Sequence, residues 1–336
     1  MYGLPFALGY NTNGFAHHGL PEAARVLAAL GYEGIALTPD YAHADPFRTG
    51  SRGWRDLRRM LDRLRLRRAI ETGARYLLDP FRKHEPTLVS PTGWSRRMEF
   101  MERAIGIADA IGAECVSFWA GRLRPGVPRA AAFRWLVHGC ARLAKFAARR
   151  KVALAFEPEP GMFVETCAQW RRLRDAVGSP WLRLTIDVGH VHCSERIGIA
   201  EAIRANASDL ANVHLDDALD RVHEHLPPGR GVVDFASAFS ALRASGFAGI
   251  ASLELSRDSH RAVEAARQAM ACLKPMLRAA VSEGARGAGR VGRARTGRGR
   301  VRVAAGPSIP RRSRGRTRRA RVEGSARRSG STRRRA

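Results

Sequence analysis

The chain has 336 residues, 45% of them hydrophobic and 26% charged, with 58 Lys+Arg against 31 Asp+Glu for a net charge of +27. That apolar fraction excludes a chain that is disordered or fibrous throughout, and the length suits one large domain or two modest ones. The charge is uneven: residues 281–336 hold 19 Arg, no Lys and two acids (Glu283 and Glu323), a net +17, whereas residues 1–280 carry +10.

In chain order, short β-rich runs alternate with longer amphipathic segments. Phe6–Tyr10 is followed by a helical pattern over Leu20–Leu30, where residues 23, 26, 27 and 30 form one apolar stripe that Gly31 ends. Gly34–Thr38 precedes Trp54–Leu64, Leu66–Glu71 precedes Trp94–Ile111, and Glu114–Trp119 precedes Ala130–Arg149. Val152–Glu157 leads to Thr166–Val177, Leu182–Asp187 to Ile199–Ala207, Ala211–Leu215 to Phe235–Ala244, and Ile250–Glu254 to Ser259–Leu277. Gly112, Gly178 and Gly246 close three of the later helices as Gly31 closes the first. Eight strand-then-helix units in this span predict an α/β fold, a (β/α)8 TIM barrel over residues 1–280. The rival, a doubly wound open sheet, calls for a glycine-rich phosphate loop after the first strand. Here that strand runs into Tyr10-Asn11-Thr12-Asn13-Gly14, with no G-x-G-x-x-G.

After Leu277 the periodicity stops, and residues 281–336 are mostly Gly, Ala, Ser and Arg. That composition predicts a disordered basic tail, either a nucleic-acid anchor or an extension without function. Only four of the basic residues are Lys (Lys83, Lys145, Lys151 and Lys274). Phosphate-binding surfaces ordinarily use both cations, so nucleic acid is not the expected partner of the barrel. The five cysteines are scattered without a C-x-x-C, which disfavours a disulfide framework or thiolate zinc site and suits a reducing compartment. No apolar run of about 18 residues and no secretory leader is present, so the expected location is the cytoplasm, with no membrane partner.

A barrel builds its active site at the C-terminal ends of its strands. The fifth run ends in Glu157-Pro158-Glu159, the sixth in Asp187-Val188-Gly189-His190, the seventh in His214-Leu215-Asp216-Asp217 and the eighth in Glu254. One Asp after a strand is ordinarily the N-cap of the next helix, and one Glu a solvated loop residue. Four consecutive strand ends of types Glu, Asp, His and Glu converge on one mouth, where three carboxylates repel unless a cation sits between them. An oxygen-rich set with one imidazole suits one divalent ion, Mn, Mg, Co or Zn.

The order Glu157, Asp187-x-x-His190, His214, Glu254, with Thr185-Ile186-Asp187-Val188-Gly189-His190 and His225-Leu226-Pro227-Pro228-Gly229-Arg230-Gly231, resembles the xylose isomerase-like TIM barrels over about residues 5–277. That superfamily includes D-tagatose 3-epimerase, inosose dehydratase and endonuclease IV. The resemblance implies that Glu157, Asp187, His214 and Glu254 hold the metal. It also implies that Glu157 and Glu254 exchange the substrate's α-proton through a metal-stabilised enediolate. The implied partner is a small carbohydrate: a sugar, sugar phosphate or polyol ketone undergoing isomerisation or epimerisation. The alternatives are an inosose-type dehydratase and a zinc-dependent abasic-site nuclease. A homo-oligomer is a further expectation, since relatives are often dimers or tetramers.

His190, His225, Arg230 (or Arg221), Trp119 and Glu159 are the candidate substrate-binding residues. Glu159 stands two residues from Glu157, on the same face of an extended segment or in the turn at Pro160-Gly161. His190, His223 and His225 are candidates for a second metal, at positions where the endonuclease has additional zinc ligands. The third and fourth runs end without the His residues of that family's trinuclear cluster. Asn11, Asn13, His17, His18, Asp40, His43, Glu71 and Thr72 are candidates for substrate specificity. Arg75, Lys83 and His84 suggest an anionic group on the substrate.

Overall fold

The protein is described by a computed structural model covering residues 3–293, with side chains through residue 282. Each predicted run forms a strand within one or two residues of its expected ends: β1 (Ala7–Asn11), β2 (Gly34–Leu37), β3 (Arg67–Glu71), β4 (Cys115–Phe118), β5 (Ala153–Phe156), β6 (Leu182–Asp187) and β7 (Leu210–Leu215). A two-stranded ribbon, β8 (Asp217–Leu219) and β9 (Val222–Leu226), precedes the last barrel strand, β10 (Ile250–Leu253). All the barrel pairs are parallel, and β10 lies between β7 and β1, closing the barrel.

The helices are α1 (Leu20–Ala29), α2 (Ser51–Arg63), α3 (Trp94–Ile111), α4 (Arg129–Ala148), α5 (Cys167–Val177), α6 (Val188–Ser194), α7 (Ile199–Ala205), α8 (Phe235–Ala244) and α9 (Ala262–Arg293). Gly31, Gly112, Gly178 and Gly246 all take the positive φ of a helix C-terminus. The barrel and its helices, α9 as far as residue 290, belong to one compact unit. Helix α9 thus passes the expected boundary at residue 280, and the rest of the basic segment lies outside the described residues. Among the described residues, no helix is long and apolar enough to cross a membrane.

Strand alternation decides what the barrel holds. The outward residues, such as Leu154 and Phe156 of β5 or Leu184 and Ile186 of β6, join the main core under the helices, where each buried side chain contributes about 1.5–3 kcal/mol. The inward residues at the base are small: Ala36, Ala69, Cys115 and Ala155 pack around Ile250. Above them lies a polar layer in which Ser117 Oγ meets Thr185 Oγ1 at 3.0 Å and Thr185 also bonds the carbonyl of Ala155. The next inward positions of β3, β5, β6 and β10 are Glu71, Glu157, Asp187 and Glu254. The same period of two therefore fills the barrel base and delivers the acids to its mouth.

Gly9 shows how tightly the base is filled. A Cβ there would stand 2.6 Å from Ser252 Oγ and 2.7 Å from Ile250 Cγ2. Gly9→Ala is expected to cost about 1–3 kcal/mol by overpacking. Thermal denaturation checks this, and an unchanged midpoint would show that the barrel relaxes around the methyl group.

Candidate active site

Four buried or half-buried side chains from four strand ends meet above the polar layer. One ligand atom from each of Glu157, Asp187, His214 and Glu254 can be chosen so that all lie within 4.8 Å of one another. His214 Nδ1 faces Glu157 Oε1 at 2.9 Å and Glu254 Oε2 at 3.1 Å. Its Nε2 lies 2.8 Å from Glu71 Oε1 and donates its N–H there, which turns Nδ1 toward the cluster. Asn13 Nδ2 donates to Glu254 Oε1 at 2.9 Å and fixes the second glutamate.

Asp187 does two jobs. Its Oδ1 accepts from His190 N at 2.9 Å and caps α6, while its Oδ2 is buried without a hydrogen-bond partner. Gly189 explains part of the D-x-G-H motif. Its N–H donates to Asp216 Oδ1 at 3.1 Å, and the Asp216 carboxylate occupies the space a Cβ would need.

A second cluster adjoins the first. His190 Nε2 lies 2.8 Å from His223 Nε2, which lies 2.7 Å from His225 Nε2. His225 Nδ1 contacts Asp216 Oδ2 at 2.6 Å, so Asp216 orients that ring. The ribbon brings His223 and His225 here. Its turn holds Asp220 and Arg221 at φ 51° and 58°, the left-handed pair of a tight hairpin. Asp217 braces the following loop by accepting from the N–H groups of Gly229, Gly231 and Val233.

The electrostatics show crowded acids. Burial, reinforced by the charges of Asp216 and Glu157, pushes the Asp187 carboxyl well above its usual range. Burial likewise raises Glu157, against the opposing pull of His214, and with repulsion from Glu157 it lifts Glu159 to about 8. For His214, burial opposes the charged form but is outweighed by the carboxylates of Glu71 and Glu157, which hold the imidazolium. Burial is outweighed at His225 too, where Asp216 raises the ring to about 10, whereas burial and the His225 charge lower His223 to about 4.

A cavity of about 750 Å3 opens over the cluster. It is lined by the expected Glu157, Glu254, Glu159, Trp119, His190, His223 and His225, and His214 and Asp187 lie buried beside them. Glu159 faces the cavity on the side of Glu157, and its backbone also braces the turn through Val164 and Met162. Arg230 is exposed and does not line the cavity, and Arg221 is exposed with its guanidinium on the carbonyl of Glu195. Of the specificity candidates, Asn13, Glu71, Thr72, Arg75, Lys83 and His84 line the cavity. Asp40 and His43 are buried, with His43 Nε2 against the carbonyl of His18.

The model of the xylose isomerase-like TIM barrel family matches residues 24–276, and the chain belongs to that family. It is 22% identical over 231 residues to the L-ribulose-5-phosphate 3-epimerase UlaE of Shigella flexneri, covering 68% of this chain and 79% of that protein. A solved L-ribulose 3-epimerase superposes with a TM-score of 0.66 at 21% identity, over 83% of this chain and 97% of that one. The IOLI protein, crystallised with a bound zinc atom, superposes with a TM-score of 0.64 at 18% identity, over 83% and 99%. These two structural likenesses are of fold.

Proposed function

We propose that this protein is a divalent-metal-dependent isomerase or epimerase of a small ketose, with Glu157 and Glu254 as its proton-transfer pair. The carrying observation is the convergence of three carboxylates and His214 Nδ1 on one point, with Asp187 Oδ2 buried and unpartnered. A buried carboxylate oxygen without a donor calls for a cation. The donor set of three carboxylates and one imidazole fits Mn, Mg, Co or Zn. Glu157, Asp187, His214 and Glu254 would hold the ion. When bound, it would supply Lewis acidity, drawing charge from a carbonyl and its neighbouring hydroxyl as the α-proton leaves.

The chain's own residues move the proton. Glu157 and Glu254 stand on strand ends separated by β6 and β7, so they flank a substrate lying across the mouth. Glu157 Oε2 has no hydrogen-bond partner among the described residues and is the free atom for a proton. One carboxylate removes the α-proton and the other returns it, on the opposite face in an epimerisation. Half-buried Trp119 offers a flat surface for the sugar, and His190 and His225 offer hydrogen bonds to its oxygens. Incubation of the metal-loaded protein with ketoses in deuterated water tests this reading: deuterium should enter the carbon beside the carbonyl, and its absence from a broad panel overturns the proposal.

The three Nε2 atoms of His190, His223 and His225 favour a second ion beside the first, since three imidazoles suit zinc. Zinc-saturated protein should then hold two ions per chain, and His223→Ala one. One ion per chain in the parent would show that these rings serve the substrate alone.

A further inference from the structure

A second cavity, of about 350 Å3, opens where the start of α4 meets α5 and the loop that precedes it. It is lined by Arg129 and Phe133 of α4, Phe163 and Val164 of the loop, and Gln169 and Arg172 of α5. Small-molecule sites occupy about 300–1,000 Å3, so the volume is sufficient for one. The segment Glu159–Val164 stands between this cavity and the one over the carboxylates. Glu159 and Met162 line that one, and Phe163 and Val164 line this one.

The floor is apolar and the edge is cationic. Phe163 and Val164 are buried and Phe133 is half-buried. Among the described residues, no acid lines the cavity. Arg129 and Arg172 are exposed, and neither makes an ion pair or a side-chain hydrogen bond among the described residues. Gln169 gives its Oε1 to the N–H of Glu165 at 2.7 Å, which leaves the donors of its Nε2 for a ligand.

Arg129 shows what the edge lacks. Its guanidinium lies over the Phe163 ring, 4.9 Å from the centroid. Arg48, Arg103 and Arg174 are stacked on rings too, but each also pairs with an acid: Asp45, Glu99 and Asp175. In Arg129 the ring takes the flat face of the cation, and the N–H groups in its plane have no acceptor. Free in-plane donors, a second cation and an aromatic floor are complementary to an anion joined to an apolar plane. A sugar carries hydroxyls that such a floor would desolvate, and a bare inorganic anion would leave the rings uncovered.

We infer that this cavity is a ligand site separate from the active site, for a small carboxylate with a planar apolar body. Arg129 and Arg172 hold the carboxylate, and Phe133 and Phe163 hold the body. The site does not depend on the ketose reading. Titration calorimetry of the full chain with 2-naphthoate as the probe should give a Kd on the order of 100 µM. The double variant Arg129→Gln with Arg172→Gln should weaken binding on the order of 100-fold, the effect of two charge-assisted hydrogen bonds. Both arginines are exposed, so the double variant should unfold at the parent's midpoint. Phe133→Ala keeps both charges and should weaken binding about tenfold. Acetate, the anion without the rings, and 2-naphthamide, the rings without the charge, should each bind at least about tenfold more weakly than naphthoate.

Naphthoate binding that the parent shows and the double variant loses upholds the site. Equal binding in both proteins puts the probe elsewhere on the chain and overturns it, as does a parent that binds no naphthoate. Acetate bound as tightly as naphthoate overturns the ligand class in favour of a bare anion site. 2-Naphthamide bound as tightly overturns it in favour of an apolar one.

Discussion

Glu157→Gln is expected to slow deuterium entry into the substrate by a factor on the order of 10²–10⁴, the usual worth of a positioned general base, with the fold intact. The amide keeps the shape of the side chain and an oxygen that can face His214 Nδ1, but it can no longer accept a proton at the substrate carbon. Glu254→Gln is expected to give a loss of the same order, because a proton that is removed must also be returned. The two variants separate by face: with a substrate whose product differs at one centre, each blocks exchange from one direction first. The metal-free Glu157→Gln variant should unfold at or above the parent's midpoint, since burial holds that carboxyl above its usual range, whereas Glu254→Gln should unfold below it, because His214 and His225 outweigh burial and hold the Glu254 carboxyl below its usual range. Exchange at the parental rate in both variants would remove the glutamates from the mechanism. In Glu157→Gln, a lowered midpoint accompanying lost exchange would assign that residue to the fold.

Much of this site was legible in the sequence because the barrel turns periodicity into position. Once eight strand–helix units are counted, the residue ending each apolar run must lie at the mouth, and Glu157, Asp187, His214 and Glu254 could be named together. The capping and metal readings of Asp187 turned out to be compatible, one carboxylate oxygen serving each. Less legible was what depends on a partner distant in sequence. Glu71 ends the third run as Glu157 ends the fifth, but its pairing with His214, 143 residues on, is a product of barrel closure. The β8–β9 ribbon was not foreseen because its turn is Asp220-Arg221, without the glycine that marks such turns. That ribbon carries His223 and His225 to His190, while Arg230, four residues beyond its end, stays outside the cavity. Spacing alone does not distinguish these outcomes.

Chelation should also destabilise the protein measurably. Without an ion, Glu157, Glu254 and Asp187 converge with only the His214 imidazolium between the two glutamates, and Asp187 Oδ2 stays unpartnered. A ligand that binds only the folded chain stabilises it by about 4.1 kcal/mol at a thousand times its Kd. For a domain somewhat larger than 250 residues, that corresponds to a rise in Tm on the order of 10 °C. Differential scanning calorimetry of chelator-treated protein, with and without added Mn or Zn, reads this directly. Asp187→Asn separates the residue's two jobs. Its side-chain oxygen can still cap α6 through His190 N, so the metal-free midpoint should hold, while the metal-induced rise should shrink with the lost charge. A parent whose Tm does not respond to divalent ions would dismiss the metal site. A variant that loses stability without metal and keeps the full rise would make Asp187 a cap and nothing more.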